Sequence, residues 1–122
     1  MKENKINSYK DLIVWQKSMD LVTEVYKLTE HYPGHEMYGL TAHTRKTAVS
    51  VPSNIAEGKY RGTKKDFAQF LRVAFGSGAE LETQLAIAKR LEKTKNLDYS
   101  RVDRLLEEVM KMLNVFIRKL ST

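Results

Sequence analysis

Residues 47–58 read Thr47-Ala48-Val49-Ser50-Val51-Pro52-Ser53-Asn54-Ile55-Ala56-Glu57-Gly58, and this stretch decides the fold. Ala48, Val51 and Ile55 recur at steps of three and four, so they share one helical face. Val49, Pro52 and Ala56 form a second apolar line beside it. A helix that is apolar on more than one face is surrounded by protein. The polar residues Ser50, Ser53, Asn54 and Glu57 then need partners, because an unsatisfied buried group costs about 1–3 kcal/mol. A fixed hydrogen-bond network is expected, with Asn54 and Ser77 mostly buried within or between the second and third helices. Pro52 has no N–H to donate to Ala48, which predicts a kink between Ala48 and Pro52. Neighbouring Ser and Asn side chains are expected to satisfy what the proline frees. Gly58 is predicted to end the helix.

The rest of the chain repeats the helical pattern. Leu12, Trp15, Met19, Val22 and Tyr26 mark a first helix from about Tyr9 to Thr29, opened by a capping-box-like Ser8 and Asp11. Tyr32-Pro33-Gly34 breaks it. The second helix runs from about Glu36 to Glu57, followed by a short basic loop, Lys59-Tyr60-Arg61-Gly62. Thr63 and Asp66 open a third helix. Its residues Phe67, Leu71, Ala74, Gly78, Leu81, Leu85 and Ala88 step by four and three, as in bundles. Gly76 and Gly78 each cost about 1 kcal/mol relative to alanine inside a helix. A close approach of the second helix near Val51 to Ile55 is the expected reason for them. Lys93 to Leu97 is a polar turn, and Asp98 or Ser100 opens a fourth helix marked by Val102, Leu106, Val109, Leu113, Phe116 and Leu120. Four amphipathic helices joined by short loops predict an all-α, antiparallel up-down-up-down four-helix bundle with a kinked second helix. One domain over residues 1–122 is expected, with 1–7 as a loose tail. Apolar residues beyond one seam, notably Ile13, Trp15, Met110 and Ile117, point to a homo-oligomer.

Composition narrows the chemistry. The chain has no cysteine, which excludes disulfides and thiolate metal sites. No run approaches the roughly 18 apolar residues of a membrane span, and the polar start leads to no signal-peptide core, so a cytoplasmic protein without a membrane partner is expected. The net charge of +6 is concentrated: residues 41–65 hold the six bases Arg45, Lys46, Lys59, Arg61, Lys64 and Lys65 against Glu57 alone. A focused basic patch suits an anionic partner, with RNA or DNA the commonest. Tyr60, among these bases, is an aromatic that could stack on an exposed base or simply pack on Phe67. The competing reading of the charge is a solvated surface, and cations after a helix also complement its dipole.

Catalytic constellations are missing. His31 and His35 are separated by Pro33 and Gly34, so they form no two-histidine helical face, and no metal site or cofactor is expected. Gly62-Thr63-Lys64-Lys65 lacks the preceding strand and first glycine of a phosphate loop. Gly76-Ser77-Gly78 is not a nucleophile elbow. Glu57 and Glu80 would make a carboxylate pair only if the second and third helices brought them together. Structural acids are the preferred reading, and no enzyme is expected.

The motifs Tyr9-x-x-Leu12-x-x-Trp15-Gln16-Lys17, Tyr32-Pro33-x-x-Glu36-x-Tyr38-Gly39-Leu40-Thr41, Ser50-Val51-Pro52-Ser53-Asn54-Ile55-Ala56-Glu57-Gly58 and Ala74-x-Gly76-Ser77-x-x-Glu80-Leu81-Glu82 resemble those of the bacterial 23S rRNA intervening-sequence proteins. The resemblance covers nearly the whole chain. It implies an up-and-down four-helix bundle, assembly into a homopentamer, and no catalytic activity. Distant relatives of that family, the accessory proteins of diversity-generating retroelements, work with a reverse transcriptase and bind nucleic acid. The chain departs from the family pattern at His43, Lys46 and Gly78, where glutamine, arginine and an aliphatic residue are usual. The leading expectation is a nucleic-acid-binding homo-oligomer. The alternative is a protein-interaction scaffold.

Overall fold

A computed structural model describes residues 8–121; the expected loose tail, 1–7, lies outside them. A 3-10 turn at Tyr9–Asp11 precedes α1 (Ile13–Thr29). A second 3-10 turn at Gly34–Glu36 and a π-helical turn at Met37–Thr41 lead into α2 (Ala42–Arg61), followed by α3 (Lys64–Ala88) and α4 (Ser100–Leu120). Among the described residues there is no strand.

The helices form a closed ring in which α1 packs on α2, α2 on α3, α3 on α4 and α4 back on α1. Their ties fix the directions. Arg45, near the start of α2, donates to Thr29 at the end of α1 at 2.8 Å. Lys89, just after α3, bonds Asp103 near the start of α4 at 2.7 Å, while Arg72 near the start of α3 reaches Ser121 just after α4 at 3.0 Å. Arg101 of α4 meets Glu24 in the second half of α1 at 3.2 Å. Consecutive helices therefore run antiparallel, as the short loops require. Leu21 and Val25, Ala48, Val51 and Ile55, Leu71, Leu81 and Leu85, and Val109 and Leu113 form the centre, each at most 1% exposed. Fully burying one such aliphatic side chain contributes about 1.5–3 kcal/mol.

Helix boundaries differ from expectation where local chemistry intervenes. Ser8 caps the 3-10 turn by accepting from Lys10 N, and α1 begins only at Ile13. Glu36 does not begin α2: its carboxylate accepts from Leu40 N at 3.1 Å, capping the π-helical turn. Gly39, inside that turn, departs from helical φ/ψ, and Pro52 lies within the continuous α2. Ser50 and Asn54 do not reach the carbonyl that Pro52 leaves without a donor. They donate to the carbonyls of Thr47 and Ser50, both at 2.8 Å. Gly58 does not end the helix. Lys59 to Arg61 form its last turn, and Gly62, at φ 91°, is the left-handed cap. At the next helix Thr63 accepts from Asp66 N at 3.0 Å, as its capping pattern predicts. Before α4, whose N-cap position is Tyr99 with no side-chain cap, Asp98 accepts from Ser100 N and Oγ, and these two bonds hold its carboxyl below the usual value.

The glycines also change roles. Gly58 is the one pressed between α2 and α3: a Cβ there would stand 2.6 Å from Phe70 Cβ. Gly78 faces α4, where the Met110 sulfur occupies the space a Cβ would need. Gly76 faces nothing within 4 Å. Gly58→Ala should therefore destabilise the fold, since its backbone neighbourhood cannot yield without moving a helix. Gly76→Ala should stabilise it by up to about 1 kcal/mol through helix propensity. Urea unfolding of the two variants would show shifts of opposite sign.

Tyr32, Thr94 and Tyr99 close the far end of the core. Tyr99 donates to the Thr94 carbonyl at 2.9 Å, Thr94 Oγ1 donates to the Ala88 carbonyl at 2.6 Å, and the Tyr32 hydroxyl lies 3.5 Å from that of Tyr99. Burial, then the Tyr99 hydroxyl, raises the Tyr32 pKa far above its ordinary value. The folded chain thus keeps a proton that the unfolded chain loses near pH 10, so stability falls as pH rises beyond about 10. Tyr32→Phe should remove part of that alkaline slope, measurable by thermal melts between pH 8 and 11.

Candidate nucleic-acid interface

The six bases singled out from the sequence divide between two ends of α2. Arg45 and Lys46 lie near its start, about 20 Å from Lys59 at 1.5 Å per residue. Arg45 is half-buried and committed to the fold. Its Nε donates to Thr29 Oγ1 at 2.8 Å, its Nη2 reaches the Tyr26 carbonyl at 3.4 Å, and its guanidinium stands 4.5 Å from the Tyr26 ring centre. Lys46 is exposed on the α3 side of α2, beside a polar hollow.

At the other end, chain reversal adds residues that no sequence window joins. The last turn of α2 (Lys59, Arg61), the first three turns of α3 (Lys64, Lys65, Arg72), the last turn of α4 (Arg118, Lys119) and Lys10 before α1 meet at one end of the bundle. Against these eight bases stand Asp11, Glu57 and Asp66. Glu57 is bonded to Arg61 at 2.8 Å, which raises the guanidinium pKa further and keeps it charged. Arg61 also lies over the Phe70 ring at 4.9 Å, and Lys59 over Phe67 at 5.8 Å. Tyr60, 87% exposed, projects among them rather than packing on Phe67.

Helix dipoles explain only part of this charge. Lys59, Arg61, Arg118 and Lys119 sit at C-terminal turns, where cations are favoured. Lys64 and Lys65 sit in the first turn of α3, where a cation is disfavoured by about 0.3–1 kcal/mol. Both are exposed, and neither pairs with another described residue. Their placement has no local structural benefit.

The polar residues of the central motif gather elsewhere. A hollow of about 460 Å3 between α2 and α3 is lined by His43, Lys46, Thr47, Ser50, Asn54, Val73, Ser77, Glu80 and Gln84. Asn54 and Ser77 are half-buried in it rather than mostly buried; Asn54 makes the expected bond within α2, to the Ser50 carbonyl, and Ser77 bonds no other described side chain. Glu80 lines this hollow while Glu57 is bonded to Arg61, so the two carboxylates form no pair. Gly76 is exposed and Gly58 is in the seam. The buried polar residues among those described are instead Ser18 and five threonines. Thr47 donates to the His43 carbonyl at 2.8 Å and accepts from Gln84 Nε2 at 3.0 Å, while Thr29 donates to the Val25 carbonyl at 2.8 Å. Thr41, Thr44 and Thr47 recur at steps of three and run into Ala48 and Val51. That periodicity was the available signal for them. A threonine that bonds its own helix's carbonyl is an inexpensive buried polar residue.

Arg45→Ala should lower the unfolding free energy by about 1–2 kcal/mol through the lost Thr29 bond and Tyr26 contact. It should leave the salt slope of any nucleic-acid binding unchanged, which separates it from the bases at the opposite end. Calorimetry and a salt titration of the same variant test both parts.

Among the described residues no helix is long and apolar enough to cross a membrane. A comparison with curated proteins finds no match. The family model for the 23S rRNA-intervening sequence protein matches residues 10–115, from the first turn to the penultimate turn of α4. That span contains all four helices' packing faces, the polar hollow and most of the basic end, and the chain belongs to the family of 23S rRNA-intervening sequence proteins.

Proposed function

We propose that this chain is a non-enzymatic, cytoplasmic, homo-oligomeric bundle that binds RNA or DNA with low sequence specificity through its basic end. The observation that carries the reading is the convergence of bases from four helix termini, with Lys64 and Lys65 placed against the local helix dipole. Phosphates carry no sequence, and lysines contact them as point charges, so such a surface binds many strands. Tyr60 adds an exposed ring on which an unpaired base can stack. The family's connection with 23S rRNA sequences is in keeping with an RNA partner. In a cyclic oligomer, the resemblance's pentamer being the leading case, the basic ends repeat and weak contacts on one strand add through effective concentration.

The test is a salt titration. Affinity of the parent for a structured RNA and a DNA duplex should fall steeply with salt as counterions are released. Replacing Lys59, Arg61, Lys64 and Lys65 with Ser should leave helicity and oligomer size unchanged and flatten the log–log slope by up to about 3–4 units. Equal binding by parent and variant at low salt would reduce the basic end to a solubility feature. A parent that binds neither nucleic acid would leave a protein-interaction scaffold as the function.

A further inference from the structure

Two opposite sides of the bundle carry unmatched surface. Because the helices form a ring, the α1/α4 side lies across the core from the α2/α3 side. On the first, an apolar groove of about 580 Å3 runs between the start of α1 and the end of α4. Its lips expose Ile13 (62%) and Val115 (43%), flanked by Lys111. The second side holds the polar hollow, with Val73 44% exposed beside the Glu80 carboxylate and the Ser77 hydroxyl. Neither Glu80 nor Ser77 bonds another described side chain.

The two surfaces correspond in height. The ties Lys89–Asp103 and Arg72–Ser121 fix the register of α3 against α4. They place Glu80 level with Lys111 and Ser77 level with Val115. A copy displaced sideways without being inverted therefore brings its α4 lip to the α3 lip of its neighbour, valine toward valine and lysine toward glutamate. The same displacement brings its α1 lip, with Ile13, to the α2 side of the neighbour's hollow.

We infer that the α1/α4 groove of one copy docks on the α2/α3 hollow of the next, a heterologous contact in which Lys111 meets Glu80 and Ile13 and Val115 cover the apolar rim. The inference rests on the homo-oligomer reading and assigns its faces. A groove that meets a hollow cannot satisfy itself in a two-fold dimer, so the contact is head-to-tail, and in a cyclic oligomer it repeats around the ring. A stable contact needs about 800 Å2 per partner, roughly a tenth of the 7703 Å2 of one chain.

Complementary variants test this. Ile13→Asp/Val115→Asp spoils the groove, and Val73→Asp/Glu80→Lys spoils the hollow; all four sites are on the surface. Each variant alone should sediment as a monomer at tens of micromolar with unchanged helicity. A mixture should form a one-to-one dimer and nothing larger, because it contains one intact groove and one intact hollow. Should either double variant fail to fold, Lys111→Glu and Glu80→Lys singly should weaken assembly and their combination in one chain restore it. A parent that is monomeric overturns both this assignment and the oligomer reading. A parent oligomer that neither variant dissociates overturns the faces alone. Monomeric variants whose mixture stays monomeric overturn the groove-to-hollow pairing.

Discussion

The close seam between α2 and α3 governs the rest of the molecule. It is pinned at one end by Gln84 bonding Thr47 at 3.0 Å and at the other by Gly58 against Phe67 and Phe70. A helix pair can approach this closely only where the facing residues are small, and any added methyl must be accommodated by moving backbone. The seam fixes which residues of α2 and α3 meet. It also fixes what they leave outside: the hollow with Asn54, Ser77 and Glu80. The connection between the two helices is then only Gly62 and Thr63, one supplying the left-handed cap and the other the next N-cap. Such a tight reversal leaves the bases on both sides of it at one end of the bundle.

Charge placement follows from topology more than from any local run. In an antiparallel four-helix ring, chain ends and one loop share a face. Lys10, Arg72, Arg118 and Lys119 lie far from Lys59 to Lys65 in sequence and beside them in space. Arg45 shows the converse. In a helical projection it shares a face with Lys59, yet α2's length separates them and Thr29 and Tyr26 claim its guanidinium. A helical projection discards the axial coordinate, and for long-range electrostatics that coordinate decides which charges act together.

Glycine has three physical meanings in one chain. Gly62 supplies a positive φ, Gly58 a close helix approach, and Gly78 the space taken by Met110. Gly76 supplies none of these. Their sequence contexts are too alike to distinguish the roles. The reason lies in the neighbours, and those are contributed by α3 for Gly58 and α4 for Gly78.

The sequence by itself determined the helices, their amphipathic faces, the cap at Thr63, the bundle architecture and the family. Each of these depends on periodicity, capping chemistry or motif spacing, all of which are local. It also located the basic loop and the central motif. Tertiary structure decided what local chemistry cannot encode. Gly62 took the capping role expected of Gly58, and Gly58 the close approach expected of Gly76 and Gly78, because only packing distinguishes a crowded glycine from a capping one. Asn54 and Ser77 proved half-buried because burial depends on what the opposite helix places over a residue, and here α3 places a hollow. The division of the six bases between two ends, and the four bases that join them at one end, arose from the folding back of the helices. Pairwise distance across a fold is a property of the assembled helices and not of any window of the chain.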